Sequence, residues 1–303
     1  KGNAAGTVGG AINCDAATLI VKDSVFEENS SKGTSGAINL TNVSTATITD
    51  SAFKGNQSTE DNGGAIKVNH TTQSGGAIFV QDKINADTYA YVTATGCTFK
   101  SNSADKTGGA IKGEQGTVVT LEDTDFIQNQ SLGTTGGAID LYKAIVNADD
   151  CLFQGNTAKA AAGAIYLNSK GAAADLAGCR FEGNSTATYG GAIYVQKDAS
   201  AVLTGSTLLQ NQAGIEGGAV YAKGTVTGKD NTIEKNVSNG SGGAIYVDEN
   251  ASVKVSGTEF LHNETKNQAG GAVYVKGQFT ADASSSFVSN KSKTSGGAIW
   301  ITG

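Results

Sequence analysis

Two short words recur in phase along all 303 residues, and their interval leaves few folds open. The first is Gly-Ala-[Ile/Val], whose Gly is Gly10, Gly36, Gly64, Gly76, Gly109, Gly137, Gly163, Gly191, Gly218, Gly243, Gly271 and Gly297. Those glycines stand 25 to 28 residues apart, except for intervals of 12 (Gly64 to Gly76) and 33 (Gly76 to Gly109). The second word is Phe-x-x-Asn. It occurs at Phe26/Asn29, Phe53/Asn56, Phe99/Asn102, Phe126/Asn129, Phe153/Asn156, Phe181/Asn184, Phe260/Asn263 and Phe287/Asn290. Leu208/Asn211 and Ile233/Asn236 carry an aliphatic residue in place of Phe. Each of these Asn precedes the next Gly-Ala glycine by seven or eight residues.

A fixed period of this size marks a solenoid. Neither word places apolar residues at helical spacing. The segments alternate instead, as in Leu19 and Val21, Ala46 and Ile48, or Val253 and Val255. Three short strands per repeat, with corners at Gly-Gly and at Asn, predict an all-β fold, a right-handed three-sided parallel β-helix. One turn takes about 27 residues, and residues 1–303 form a single repeat domain of about eleven turns. At about 4.8 Å per turn the rod is on the order of 50 Å long. The short interval over 64–76 reads as a partial repeat, with His70 to Ser74 bulging as a loop.

Stacked positions explain most of the repeated letters. The Phe column points inward and piles ring on ring. The Asn column turns a corner, and its amides bond along the stack. Gly-Gly-Ala is a second, cramped corner. Sequons arise at Asn184, Asn236 and Asn263 because the corner demands Asn, so glycosylation there is not expected. Cys97, Cys151 and Cys179 occupy a small-residue column two before the Phe, shared with Ser24, Thr124 and Ser206, which favours buried free thiols, with a bond between Cys151 and Cys179 on neighbouring turns as the alternative.

One column changes character. The residue after Ile/Val in Gly-Ala-[Ile/Val] is Asn13, Asn39, Lys67, Phe79, Lys112 and Asp140 in the first half. It then becomes Tyr166, Tyr194, Tyr221, Tyr246, Tyr274 and Trp300 without a break. The polar residues place the position in solvent. The aromatic run is therefore either a stabilising cross-strand ladder or an exposed strip that binds sugar rings or a protein partner.

Composition narrows the function. A net charge of −6 and a single Arg (Arg180) argue against nucleic-acid binding. No apolar run is long enough to span a membrane as a helix, so no membrane insertion of this segment is expected. His70 and His262 lie many turns apart, and acidic groups such as Asp149-Asp150 and Glu122/Asp123/Asp125 sit at different places in the repeat frame. These features predict no catalytic site, no metal and no cofactor.

Together the words GGA[ILV] and FxxN, in phase over essentially the whole chain, resemble the passenger repeats of the chlamydial polymorphic membrane proteins and related bacterial surface proteins. Cys two residues before Phe is similar to that family as well. The resemblance implies an autotransported adhesin displayed at the cell surface, whose partner is a host-cell receptor or glycan. The chain has no Met and stops at GGAIWITG, one strand into a turn. It is thus expected either to be a segment of a longer array or to stack end to end on other copies of itself in a filament or stalk.

Overall fold

The computed structural model describes residues 1–15, 17–33, 35–41, 45–60, 66–69, 78–80 and 90–302. Regular structure among them is entirely parallel β-strand, wound into a solenoid. Residues 193–213 show one turn. Ile193–Val195 follows Gly-Gly-Ala, then come Ser200–Thr204, the core strand Thr207–Leu209 and the short pair Gln212–Ala213. The expected three strands per turn are thus joined by a fourth, two residues long, just after the Asn. The last three of these positions each build a ten-stranded ladder, so the solenoid has about ten turns, one fewer than the sequence count.

The Gly-Gly-Ala strands split into a ladder of three and a ladder of nine. Ile66–Asn69 ends the first by pairing with Ile38–Thr41, and Ile78–Val80 begins the second by pairing with Ile111–Gly113. Both copies of the partial repeat therefore add a strand to the same face. Gly64, Gly76 and the His70 to Ser74 loop lie outside the described residues.

Register explains the columns. Phe26, Phe53, Phe99, Phe126, Phe153 and Phe181 are stacked with ring centroids 4.7 to 5.1 Å apart and planes within 7°. Leu208 and Ile233 continue the column, and Phe260 stacks on Phe287 at 4.6 Å. Burial of each ring is worth about 2–3 kcal/mol. In the longer strands the alternation is regular, as in Ser200–Thr204, where Ala201 and Leu203 enter the core.

The Asn column satisfies itself. Asn129 Nδ2 donates to Phe99 O of the turn before (2.9 Å) and to Asn156 Oδ1 of the turn after (3.0 Å). Asn129 Oδ1 accepts from the backbone N and the Nδ2 of Asn102, at 3.1 and 2.9 Å. Both amide hydrogens and both carbonyl lone pairs are used, which a buried amide requires. The same arrangement links Asn29, Asn56, Asn156, Asn184, Asn211, Asn236, Asn263 and Asn290. Asn184, Asn236 and Asn263 are fully buried within this ladder, which closes their sequons to any modifying enzyme while the chain is folded.

Gly-Gly is two different demands. Gly190 has φ +67°, and a Cβ there would stand 2.4 Å from Ile193 O. A Cβ on Gly191 would stand 2.0 Å from Gly218 O of the next turn. Cys97, Cys151 and Cys179 are buried free thiols, and Cys179 Sγ donates to Ala177 O at 3.2 Å. The Cys151 contact and burial push the Cys179 thiol well above its ordinary range.

Candidate functional site on the outer face

The column that changes character lies on the outer face of the Gly-Gly-Ala strands, yet between its exposed ends, Asn13 and Trp300, most of it does not face water. Asn39, Lys112 and Asp140 are each less than 5 % exposed, and Tyr166, Tyr194, Tyr221 and Tyr246 between 2 and 8 %. Solvent exposure of this position, expected from its polar residues, is therefore corrected. The left-handed residue that opens these strands, a glycine on most turns but Ser35 and Ala162 on two, curls back over the column. A Cβ on Gly136 would lie 2.9 Å from Asp140 Cβ, and one on Gly190 3.4 Å from Tyr194 Cα. Ala161 and Ala162, in the same segment one turn earlier, pack on the rings, and Tyr189 lies 4.9 Å from Tyr221.

Beneath this cover the rings form a ladder. Tyr166 and Tyr194 are tilted by 33° at 5.0 Å, whereas Tyr194, Tyr221, Tyr246 and Tyr274 stack at 4.9 to 5.1 Å. Trp300 is in register with Tyr274 and is 38 % exposed. The aromatic run is a structural ladder, and an exposed strip only at its Trp300 end. Its hydroxyl edge meets a second outward column two residues on. Tyr221 donates to Asp248 Oδ2 at 3.2 Å, and Gln196 Nε2 donates to Tyr166 OH at 3.4 Å. Lys223 and Lys276 approach the rings of Tyr221 and Tyr246 at 5.9 and 5.8 Å. Burial above all, and then the Asp140 charge, push the Tyr166 hydroxyl up to about 12. Burial does the same for Tyr246, also to about 12.

The ladder stops abruptly below Tyr166. Its register neighbour is Asp140, and the neighbour of Asp140 is Lys112. Lys112 Nζ donates to Asp140 Oδ1 and lies 3.5 Å from Glu114 Oε1, while Thr135 Oγ1 donates to Asp140 Oδ2. Burial works to lower the Lys112 pKa, but the two carboxylates outweigh it and hold the ammonium above its ordinary value. Over this triad a cavity of about 410 Å³ opens, with Tyr166 as one wall and Tyr142 and Asn168 beside it. The sequence named Lys112 and Asp140 only as polar members of a column. The change of residue type there, from Tyr to a complementary charge pair, was the available signal.

A second recess of about 300 Å³ lies on the neighbouring face, between Glu122, Asp149 and Asp175. Glu122 and Asp149 are register partners, contrary to the expectation that these acids do not stack. They are 27 residues apart, one turn, so the spacing itself carried the information. Both are exposed, where water screens their charges. Among the described residues no three His, Cys, Asp or Glu side chains converge as metal ligands, and no helix is long and apolar enough to cross a membrane.

Comparison with known families decides the kind of chain this is. The model of the right-handed β-helix region matches residues 144–292, and the Chlamydia polymorphic membrane protein repeat matches residues 96–114 and 284–302. The chain carries repeats similar to those of the polymorphic membrane proteins. No curated protein and no solved structure matches it. Both matched repeats of this polymorphic-membrane-protein-like chain hold the corner and strand that define the outer column, at Lys112 in one and Trp300 in the other.

Proposed function

We propose that the chain is the β-helical passenger of a surface-displayed, autotransporter-type protein, acting without catalysis as an adhesin toward host cells. The observation that carries this reading is the polymorphic-membrane-protein repeat found on a continuous right-handed β-helix. A solenoid in which every turn hydrogen-bonds the next suits an adhesin physically. It presents a stiff lateral surface, on which contact residues vary while the inward columns stay fixed.

Beads coated with the purified 303-residue chain test it. Saturable attachment to cultured epithelial cells, competed by the soluble chain, is expected. Attachment no greater than that of albumin-coated beads overturns the reading. Sedimentation velocity over a hundredfold concentration range addresses the other partner, further copies of the chain. An adhesin sediments as one species, whereas a stalk subunit grows with concentration.

A further inference from the structure

From the cavity at the foot of the tyrosine ladder we infer a binding site for a neutral hexopyranose, the sugar unit of a glycan. The inference names a ligand for the adhesin reading and rests on it for its biological setting.

The shape follows from the register. On each turn from Tyr194 to Tyr274 a ring stacks 4.9 to 5.1 Å from the one before. At the next rung below Tyr166 the side chain is Asp140, too short to reach as far outward as a phenol. The space left over is the cavity of about 410 Å³, within the range of small-molecule sites. A ring with one flat C–H face entering it stacks on Tyr166 and continues the ladder.

The polar groups select the rest of the ligand. Lys112 is held between two carboxylates, so the triad leaves one net negative charge in a nearly dry setting, with the Glu114 side chain 14 % and the Asp140 side chain 1 % exposed. An anionic ligand is repelled there, and strongly, because little water screens the charge. The half-buried carboxylate of Glu114 accepts hydroxyl protons, and the Asn168 amide both donates and accepts. The hydroxyls of Thr134 and Tyr142 complete a rim that does the same. One apolar face and several vicinal hydroxyls, with no charge, describe a pyranose. A wholly apolar ring would offer the rim no hydrogen bond in exchange for the water it displaces.

A single sugar of about a dozen heavy atoms bound in this way gives a Kd on the order of 1 mM. The test is saturation-transfer NMR on the intact chain with the methyl glycosides of glucose, galactose, mannose and N-acetylglucosamine, and with N-acetylneuraminic acid as the anionic probe. At least one neutral glycoside is expected to bind and the acid not to. Tyr142→Ala and Thr134→Trp, the latter filling the mouth from an exposed position, each weaken binding about tenfold or more with an unchanged circular dichroism spectrum. Absence of binding by all four neutral glycosides overturns the site. So does binding that survives Thr134→Trp, which tests it even where Tyr142→Ala disturbs the fold. Cell attachment that persists while all glycosides fail removes this site and leaves the adhesin reading standing. Loss of attachment with glycoside binding intact does the reverse.

Discussion

Lys112 and Asp140, in register on adjacent turns, form a buried ion pair in the same outward column that Tyr166 continues as a ladder of rings. Removing Lys112 leaves the Asp140 and Glu114 carboxylates without their cation, whereas removing Asp140 leaves Lys112 still beside Glu114. Lys112→Ala is therefore expected to destabilise the chain by about 3–5 kcal/mol, while replacing Lys112 and Asp140 together with tyrosines costs far less. Urea denaturation of the single and double variants checks this. A single variant as stable as the parent sinks the account of the pair.

How much of this was legible varied by column. One turn equals the repeat length, so alignment alone put Phe153 over Phe126 and Asn156 over Asn129, and alternation put the rings inside. Alternation says which face a side chain leaves by, but not what lies over that face. Tyr194 leaves outward and is covered all the same, because Gly190, four residues earlier, turns back across it. The Lys112–Asp140 pairing was also present in the spacing of 28 residues. The cavity above it was not, since it depends on how far each side chain reaches outward.

Alkaline pH should unfold the ladder end of the molecule first. The Tyr166 and Tyr246 hydroxyls titrate near 12 in the folded chain, against about 10 when unfolded. Below pH 10 both states keep the proton and stability is unaffected. From 10 to 12 only the unfolded chain loses it, so stability falls as pH rises through that window. Lys112, also raised, acts in the same direction above its ordinary value. Tyrosinate absorbance and thermal melts between pH 9 and 12.5 report both effects. A set of tyrosines that all ionise near 10 in the folded protein would contradict the buried ladder.

Asn156 is expected to tolerate neither Ala nor Asp. Its Nδ2 donates to Phe126 O and Asn184 Oδ1, and its Oδ1 accepts from the backbone N and the Nδ2 of Asn129. Alanine leaves these groups buried without partners, at about 1–3 kcal/mol each for those that water cannot reach. Aspartate is worse at neutral pH, because it turns a carboxylate oxygen toward Phe126 O and Asn184 Oδ1. Its deficit relative to Ala should shrink on acidification, when the carboxyl regains a proton to donate. Equal loss for both variants at pH 7 and pH 4 would show that the ladder bonds contribute little beyond shape.

Two glycines with different neighbours separate backbone strain from lack of room. Gly183 has φ +61° and open space where a Cβ would go. Its repeat position already holds Gln128, Gln210, Lys235 and His262 at positive φ on other turns. Gly183→Ala is thus expected to cost only the left-handed penalty, about 1–2 kcal/mol. At Gly191 φ is ordinary, but the added carbon would meet Gly218 O at 2.0 Å and Gln212 backbone at 2.7 Å. Those atoms belong to the next turn's main chain and cannot rotate away, so relief requires the two turns to separate. That breaks the Gly191 N to Gly217 O bond of 3.1 Å and disturbs the Tyr194–Tyr221 stack beside it. Gly191→Ala should therefore cost about 3 kcal/mol or more. Amide exchange should rise on both flanking turns, whereas Gly183→Ala leaves exchange there at its parental rate. Comparable losses for the two variants would mean that the corner yields more readily than its spacing implies.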